Sequence, residues 1–320
     1  MTRDEQHLCE LDPREVFGET MAHIAESDDR LSVVVSDYGR RLSLERMLEL
    51  SPQSLVQCGI AEQNQIEVAA ALANEGFHVF VPSYATFATA RVLDQIRVLM
   101  GMMGSPVTLV GISAGCEAAP LGASHMALED IACLRTIPGI TVLCPADGIE
   151  LAHMLEELAA HPRPAYVRIA HNAKAARDLV DRGRVRIGKA ELLRDADGAE
   201  VSLLAIGSLI DVALEAAELL SHQGVAAKVV EFATVRPLDV AALQSLVGTR
   251  LAVTIEDHCV NGGFGSAVAE VLSGIDDAPR VLRLGMPDEY LDADVKSKIF
   301  ERVGLTAEGV LKATLERLGR

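Results

Sequence analysis

The sequence has no closely spaced cysteine pair, no long apolar run and little positive charge. Its six cysteines include no Cys-Xaa-Xaa-Cys pair and no zinc-like cluster, which argues against a structural zinc site. Most of them lie in or beside apolar runs, as small buried side chains do in a reducing compartment. No apolar run approaches the roughly 20 residues that span a bilayer.

The shortage of basic residues excludes two classes of partner. Twenty-nine lysines and arginines stand against 46 aspartates and glutamates, a net charge of −17. Nucleic acid and anionic membranes repel such a chain, and we interpret the charge as a feature of solubility. The first residues are polar and charged, unlike a signal peptide. We therefore expect a cytoplasmic protein with neither a membrane nor a nucleic-acid partner.

Alternating apolar strands and helical patterns make up most of the chain. Its 320 residues, 49% apolar and 23% charged, suffice for roughly two domains with real cores. Residues 31–35, LSVVV, form a mostly apolar run, typical of a strand buried on both faces. Similar runs at 107–112 and 201–206 are separated by helical patterns. Asp12 and Pro13 predict the start of a helix with Pro at its first position, and we interpret residues 171–200 as the interdomain connection with an edge hairpin of the second domain. The alternation predicts an α/β protein of two doubly wound domains with mostly parallel sheets, at residues 1–180 and 181–320.

The stretch from residue 59 to residue 97 carries the strongest local signal. It reads GIAEQNQIEVAAALANEGFHVFVPSYATFATARVLDQIR. Apolar residues recur at helical spacing from Ile66 to Ala73, and Gly76 is placed to end that helix as a C-cap. A short apolar strand at residues 78–81 and a second helix running past Arg97 are predicted to follow. Glu62 stands at the mouth of the helix, where the helix dipole favours a carboxylate. Taken alone, Glu62 needs no other explanation.

The wording GIAEQN, followed by aromatic residues and then DQIR, closely resembles the pyrimidine-binding domain of the transketolase family of thiamine diphosphate enzymes. The resemblance continues to the C-terminus and covers nearly the whole chain. It implies that Glu62 hydrogen-bonds N1′ of the cofactor's aminopyrimidine ring, and that Tyr84 and Phe87 pack on that ring. Glu62 can share a proton with N1′ because burial disfavours the charged form of a carboxyl group. Without the resemblance, the two aromatic residues would be ordinary core side chains.

Two further residues match functional positions of the family. Asp37 follows the predicted strand at 31–35, at the edge where open α/β sheets gather ligands. It resembles an aspartate near cofactor and substrate, although a strand-end turn also explains it. His125, in GASHMALED, matches a histidine that serves the substrate hydroxyl and carbonyl and moves protons near neutral pH. An isolated histidine is more often structural.

The substrate half of the site departs from the family pattern. Leu121 stands where an aspartate faces a donor hydroxyl, Ser113 where a histidine contacts phosphate, and His171 where an arginine anchors phosphate. Arg41 replaces a serine, whereas Arg14 matches a phosphate-binding arginine. The resemblance thus implies an intact cofactor half and a rebuilt substrate half, and we expect altered discrimination between donors.

The sequence lacks the GDG motif and downstream asparagine with which the family holds the cofactor's diphosphate. The resemblance therefore implies the C-terminal subunit of a split enzyme, active only with an N-terminal, diphosphate-binding subunit that carries GDG, in an α2β2 heterotetramer. Mg²⁺ prefers carboxylates and phosphate oxygens, so we expect the partner to hold it mainly and predict no metal ligand in this chain.

The expected reaction transfers a two-carbon ketol or acyl unit from a ketone donor to an aldehyde or ketone acceptor. The wording APLGASH leans towards the β subunits of 2-oxo acid dehydrogenases, so a decarboxylating reaction on pyruvate or another 2-oxo acid is one alternative. A non-catalytic regulatory or scaffold subunit is another, although it would not need Glu62. The glycines at 262, 263 and 265 resemble a phosphate loop, but such a turn is weak evidence and binds no cofactor in the family.

Overall fold

In the computed structural model, the chain forms two sheets with helices packed around them. The structure describes residues 7–8, 10–37, 42–170 and 186–320. The strands are β1 Leu31–Val35, β2 Leu55–Gln57, β3 His78–Tyr84, β4 Val107–Ile112, β5 Thr141–Leu143, β6 Ala165–Arg168, β7 Glu191–Arg194, β8 Val201–Ala205, β9 Ala227–Glu231, β10 Thr234–Arg236, β11 Leu251–Cys259 and β12 Arg280–Met286. The helices are α1 Pro13–Ala25, α2 Glu45–Leu50, α3 Glu62–Asn74, α4 Ala85–Ala88, α5 Leu93–Gln95, α6 Asp130–Arg135, α7 Gly148–Ala160, α8 Ile210–His222, α9 Val240–Gln244, α10 Phe264–Leu272, α11 Lys296–Val303 and α12 Ala307–Leu318.

The first sheet has seven strands in the order β10-β5-β6-β4-β3-β1-β2. All neighbours are parallel except β10, which lies antiparallel to β5 at one edge. The second sheet has the order β12-β11-β8-β9-β7 and is parallel except for β7. The predicted α/β class with two mostly parallel sheets is confirmed.

The second half of the chain contributes to the first sheet. Strand β10 comes after both β8 and β9, yet it pairs with β5. One apolar cluster contains Leu109 of β4, Leu204 of β8 and Phe264 of α10, so the two units share a continuous core. The predicted boundary at 180/181 stays a prediction. Residues 171–185 of the predicted interdomain connection lie outside the described residues. The predicted edge hairpin is wrong in part, because β7 is a single edge strand that pairs with β9.

Local sequence explains the elements that position the site. Helix α1 begins with a capping box. The side chain of Asp12 accepts a hydrogen bond from the backbone N–H at the third helical position, and the side chain of Glu15 accepts one from the backbone N–H of Asp12. Pro13 occupies the first helical position, as this residue pattern favours. All five residues of β1 are buried, as expected for a strand covered on both faces. Gly18 lets α1 approach residues 42–43, because a Cβ there would lie 2.2 Å from the carbonyl oxygen of Ser43.

A buried ion network joins β6 to β11 across the two units. Arg168 donates from Nε to Asp130 Oδ2 at 2.8 Å and from Nη1 to Asp257 Oδ1 at 2.6 Å, and the Tyr166 hydroxyl donates to Asp130 Oδ2 at 2.7 Å. Burial alone would lower the pKa of Arg168, but Asp130 and Asp257 raise it well above its ordinary value. Arg168 Nη2 also donates to the carbonyl of Ala127 at 3.4 Å. The network therefore ties both units to the loop that ends at Ala127.

In the described ranges, every helix falls short of the length and apolar character that crossing a membrane requires.

Candidate functional site

Glu62 is the first residue of α3, and its side chain is only 9% exposed. At that position the unpaired backbone N–H groups of the helix favour a negative charge. One turn later, Gln65 donates from its side chain to the carbonyl of Val34 in β1 at 2.8 Å, which anchors the helix to the sheet. The carboxylate is therefore held at the carboxyl edge of the first sheet, where α/β folds place ligands.

Three rings lie together at the same edge of the sheet. Tyr84 ends β3, Phe87 lies in α4, and His125 comes from the loop after β4. Their centroids are 5.8 Å apart for Tyr84 and Phe87, 5.5 Å for Tyr84 and His125, and 5.3 Å for Phe87 and His125, all edge-to-face. Such packing is a favoured aromatic geometry. The structure thus brings together three residues that the sequence assigns to one site. Arg91 links Glu62 to these rings.

Arg91 connects the carboxylate to the rings, and sequence reasoning missed it. Its Nη1 donates to Glu62 Oε1 at 2.9 Å, and its Cζ lies 3.9 Å from the centroid of the Phe87 ring. Its position four residues after Phe87 was the available signal, because an unbroken helix would place both residues on one face. Glu62 therefore faces a cation rather than a purely apolar pocket, and this corrects the expected surroundings of the carboxyl group.

The helix predicted to run past Arg97 is broken into several pieces. α4 ends at Ala88, a 3-10 turn follows at Ala90–Val92, and α5 continues into a π-helical segment at Ile96–Met102. The break places Arg91 in the short 3-10 turn, beside the site.

The loop between β4 and α6 carries His125 and Leu121 and is closed at both ends. Gly115 and Ala127 exchange backbone hydrogen bonds at 3.1 and 3.2 Å. His125 Nδ1 lies 3.0 Å from the hydroxyl of Ser124. Leu121 lies in a 3-10 turn and is 56% exposed, so its side chain offers a substrate only apolar contact.

Residues of the second unit contact this loop at Glu117 and Gly122. Lys296, at the start of α11, forms an ion pair with Glu117 in the loop. A Cβ on Gly122 would lie 3.8 Å from the methyl group of Ala293, so the chain before α11 packs against the turn beside Leu121. The position of the loop therefore depends on both units.

The other predicted residues lie in different settings. Asp37 is exposed just after β1. Ser113 follows β4 with a left-handed backbone, φ 55°, where a non-glycine residue is uncommon. Arg14 forms an ion pair with Asp12 at the start of α1, from Nε to Oδ1 at 2.8 Å and from Nη2 to Oδ2 at 3.2 Å. Arg41 and His171 lie outside the described residues.

The glycine run at 262–265 serves a structural purpose. Glu256 accepts hydrogen bonds from the backbone N–H groups of Phe264 at 2.6 Å and Gly265 at 2.8 Å. A Cβ on Gly263 would lie 2.2 Å from Glu256 Oε2, so glycine permits this approach. Burial raises the pKa of Glu256 to about 7, although the two N–H donors lower it. The first amides of α10 are thus already bonded to a side chain, which agrees with the interpretation that this turn holds no phosphate.

Comparisons with known proteins identify the family of this chain. Residues 10–174 match the family described as transketolase, pyrimidine binding domain, and residues 188–310 match transketolase, C-terminal domain. The chain is 37% identical over 309 residues to the 1-deoxy-D-xylulose-5-phosphate synthase of Pelotomaculum thermopropionicum, covering 96% of this chain and 48% of that protein. It therefore spans about half the length of that relative.

A second relative matches at full length. The 6-deoxy-6-sulfo-D-fructose transketolase subunit SqwH of a Clostridium species is 35% identical over 304 residues, covering 95% of this chain and 93% of the relative. A solved structure of a split gene transketolase, an inactive β4 tetramer, superimposes with a TM-score of 0.87 at 31% identity, covering 97% of this chain and 99% of that one. The chain belongs to the transketolase family, of which it carries the pyrimidine-binding and C-terminal domains.

Proposed function

We propose that this chain is the pyrimidine-binding subunit of a split, thiamine diphosphate-dependent transketolase. The enzyme transfers a two-carbon ketol or acyl unit from a ketone donor to an aldehyde or ketone acceptor. The observation that carries the proposal is the cluster at the carboxyl edge of the first sheet: the buried carboxylate of Glu62 beside the rings of Tyr84, Phe87 and His125.

The residues present fit an aminopyrimidine ring. Glu62 offers a carboxylate oxygen to a ring N–H, and Phe87 offers an aromatic face for stacking. Glu62 holds the proton at N1′, and its burial keeps water from competing for that hydrogen bond. Thiamine diphosphate held by these residues would supply a nucleophilic carbon for the chemistry at the donor carbonyl.

His125 is placed to serve the substrate. Tyr84 and Phe87 fix its ring edge-on, and Ser124 lies 3.0 Å from Nδ1. The other ring nitrogen, Nε2, then exchanges a proton with the donor hydroxyl and carbonyl, which a histidine does readily near neutral pH. The loop closure at Gly115 and Ala127 keeps this nitrogen in place.

A second subunit holds the diphosphate and Mg²⁺ in our proposal. The sequence carries no GDG motif, and Mg²⁺ binds mainly through carboxylates and phosphate oxygens. The full-length relative from Clostridium is itself described as a subunit. We propose an α2β2 assembly in which the partner's GDG motif supplies the metal site and this chain supplies the pyrimidine site.

The donor differs from the ordinary ketose phosphates. Leu121 is exposed at the loop that carries His125, and its side chain cannot hydrogen-bond a sugar hydroxyl. A site built with an apolar side chain at that position loses a polar contact to a hydroxylated donor, worth about 0.5–1.5 kcal/mol for a neutral hydrogen bond and more for a charged one. The full-length relative named for 6-deoxy-6-sulfo-D-fructose supports an unusual donor.

The test is a donor panel on the chain reconstituted with a diphosphate-binding transketolase subunit that carries a GDG motif. The donors are xylulose 5-phosphate, fructose 6-phosphate, sulfonated and unphosphorylated ketoses, and pyruvate. We expect turnover only when both chains and thiamine diphosphate are present, with an unphosphorylated or sulfonated ketose as the best donor. An Arg97→Ala variant is the matched control, since Arg97 is exposed and pairs with Asp94.

Two outcomes would contradict the proposal. Turnover by this chain alone would exclude the split site. Release of CO₂ from pyruvate as the dominant reaction would replace ketol transfer by a decarboxylating reaction.

A further inference from the structure

The guanidinium of Arg91 makes both contacts that the proposed function assigns to the aminopyrimidine ring, one to Glu62 and one to the face of Phe87. Its guanidinium donates to Glu62 Oε1 at 2.9 Å and lies 3.9 Å above the Phe87 ring. A guanidinium is planar and carries its N–H donors in that plane, so it can stack and hydrogen-bond at the same time. An aminopyrimidine protonated at N1′ is also planar and also carries an in-plane N–H donor.

The two groups cannot occupy this place together. At 3.9 Å from the ring centroid, the guanidinium is in van der Waals contact with Phe87, so no second planar group fits between them. Tyr84 and His125 approach Phe87 edge-to-face, whereas Arg91 covers a face of the ring. A pyrimidine ring that stacks on that face and bonds to Glu62 must displace Arg91.

Arg91 is placed to leave without disturbing the core. Its side chain is 46% exposed, whereas that of Glu62 is 9% exposed, so Arg91 covers the carboxylate from the solvent side. It lies in the 3-10 turn Ala90–Val92 rather than in a long helix. Solvent screens a half-exposed ion pair, and the long side chain can rotate into water while the backbone stays where it is.

We infer that Arg91 is an internal competitor for the binding position of the pyrimidine ring, which it occupies until the ring displaces it. The inference rests on the proposed function. It adds that the chain's own side chain opposes the binding of thiamine, independently of the missing GDG motif. Removing the guanidinium should therefore increase the affinity for the ring, whereas a residue that helps to hold the ring would decrease it.

The experiment is a ligand-observed NMR titration of the full chain with thiamine, which lacks the diphosphate and so needs no partner subunit. We expect Arg91→Ala to bind thiamine roughly 3- to 30-fold more tightly than the unaltered chain, the factor expected from one screened ion pair and one cation–π contact. Arg91→Lys keeps the charge but loses the planar fork, and its affinity should fall between the two. Arg97→Ala, on the same segment, should match the unaltered chain.

Thermal unfolding by circular dichroism checks that each variant is folded, and Arg91→Gln replaces Arg91→Ala if the latter is not. The inference is overturned if the Arg91 variant binds thiamine with equal or lower affinity, or shows no saturable binding.

Adding Glu62→Ala separates the inference from the proposed function. If Glu62→Ala weakens thiamine binding in both the unaltered and the Arg91→Ala chain, but Arg91→Ala brings no gain, only the competition is wrong. If Glu62→Ala changes nothing, Glu62 does not bind the ring, and the proposed site itself fails together with the inference.

Discussion

Replacing Arg168 by methionine should destabilise the chain by about 3–5 kcal/mol, the cost of removing one partner from a buried ion pair. Arg168 is almost fully buried and donates to Asp130, Asp257 and the carbonyl of Ala127. Methionine fills similar space but leaves two carboxylates in the interior without their cation. A loss of this size is a large part of the free energy of unfolding of a folded domain, which is about 5–15 kcal/mol.

Urea unfolding followed by circular dichroism measures this loss of stability. Arg97→Ala is the control, because its exposed pair with Asp94 should contribute less than about 1 kcal/mol. A second change sharpens the test: adding Asp257→Asn to Arg168→Met removes one of the unpaired charges. We expect part of the stability to return. A loss below about 1 kcal/mol in Arg168→Met, or a further loss in the double variant, would refute the reasoning.

Three more predictions follow from the described residues. Because the pKa of Glu256 is about 7 in the folded chain and 4.5 ordinarily, the folded state binds more protons between these values, and stability should fall as pH rises through that window. Glu256→Gln should lack this fall of about 3 kcal/mol. His258, whose pKa burial lowers, opposes the fall in the unaltered chain. Urea-unfolding free energies that follow parallel curves against pH in the two proteins would contradict us. Leu121→Asp should raise kcat/KM for xylulose 5-phosphate in the proposed two-chain enzyme about 10- to 100-fold, which is the effect of one charge-assisted hydrogen bond. An unchanged kcat/KM would show that residue 121 does not face the donor. Burial raises the pKa of Cys116 to about 12 and also raises that of Cys144. Neither thiol should therefore be alkylated by iodoacetamide at pH 8 until the chain unfolds, as measured by mass spectrometry. Rapid labelling of the native chain would be inconsistent with the burial of these cysteines.

The local part of the fold could be predicted from the sequence. The strand at Leu31–Val35 and the start of α1 at Pro13 lie where their patterns predict, because a mostly apolar run and a helix-capping pattern act within a few residues. Helix α3 buries Ile66, Ala69, Ala70 and Ala73, as its period predicts. Its start at Glu62 follows from the same local pattern.

The contacts between distant segments could not be predicted in this way. Arg91 and Glu62 are 29 residues apart, and Arg168 and Asp257 are 89 apart, and no local period records either pair. The pairing of β10 with β5 likewise depends on tertiary packing. The helix predicted to run past Arg97 was wrong, because the backbone leaves helical geometry at Thr89, with φ −128° and ψ −82°, and a local apolar period does not record such a break. Arg91, the residue that changes the interpretation of Glu62, lies in one of those turns.

The most direct test of the central claim is the exchange of the C2 hydrogen of thiamine diphosphate for deuterium, measured on the reconstituted two-chain enzyme. Glutamine at position 62 keeps the size of the side chain but cannot share a proton with N1′. We expect the exchange rate in Glu62→Gln to fall by about 10²- to 10⁴-fold, the usual contribution of a positioned acid or base, with the cofactor still bound and the chain still folded. Exchange at the unaltered rate in Glu62→Gln would contradict the assignment of this site.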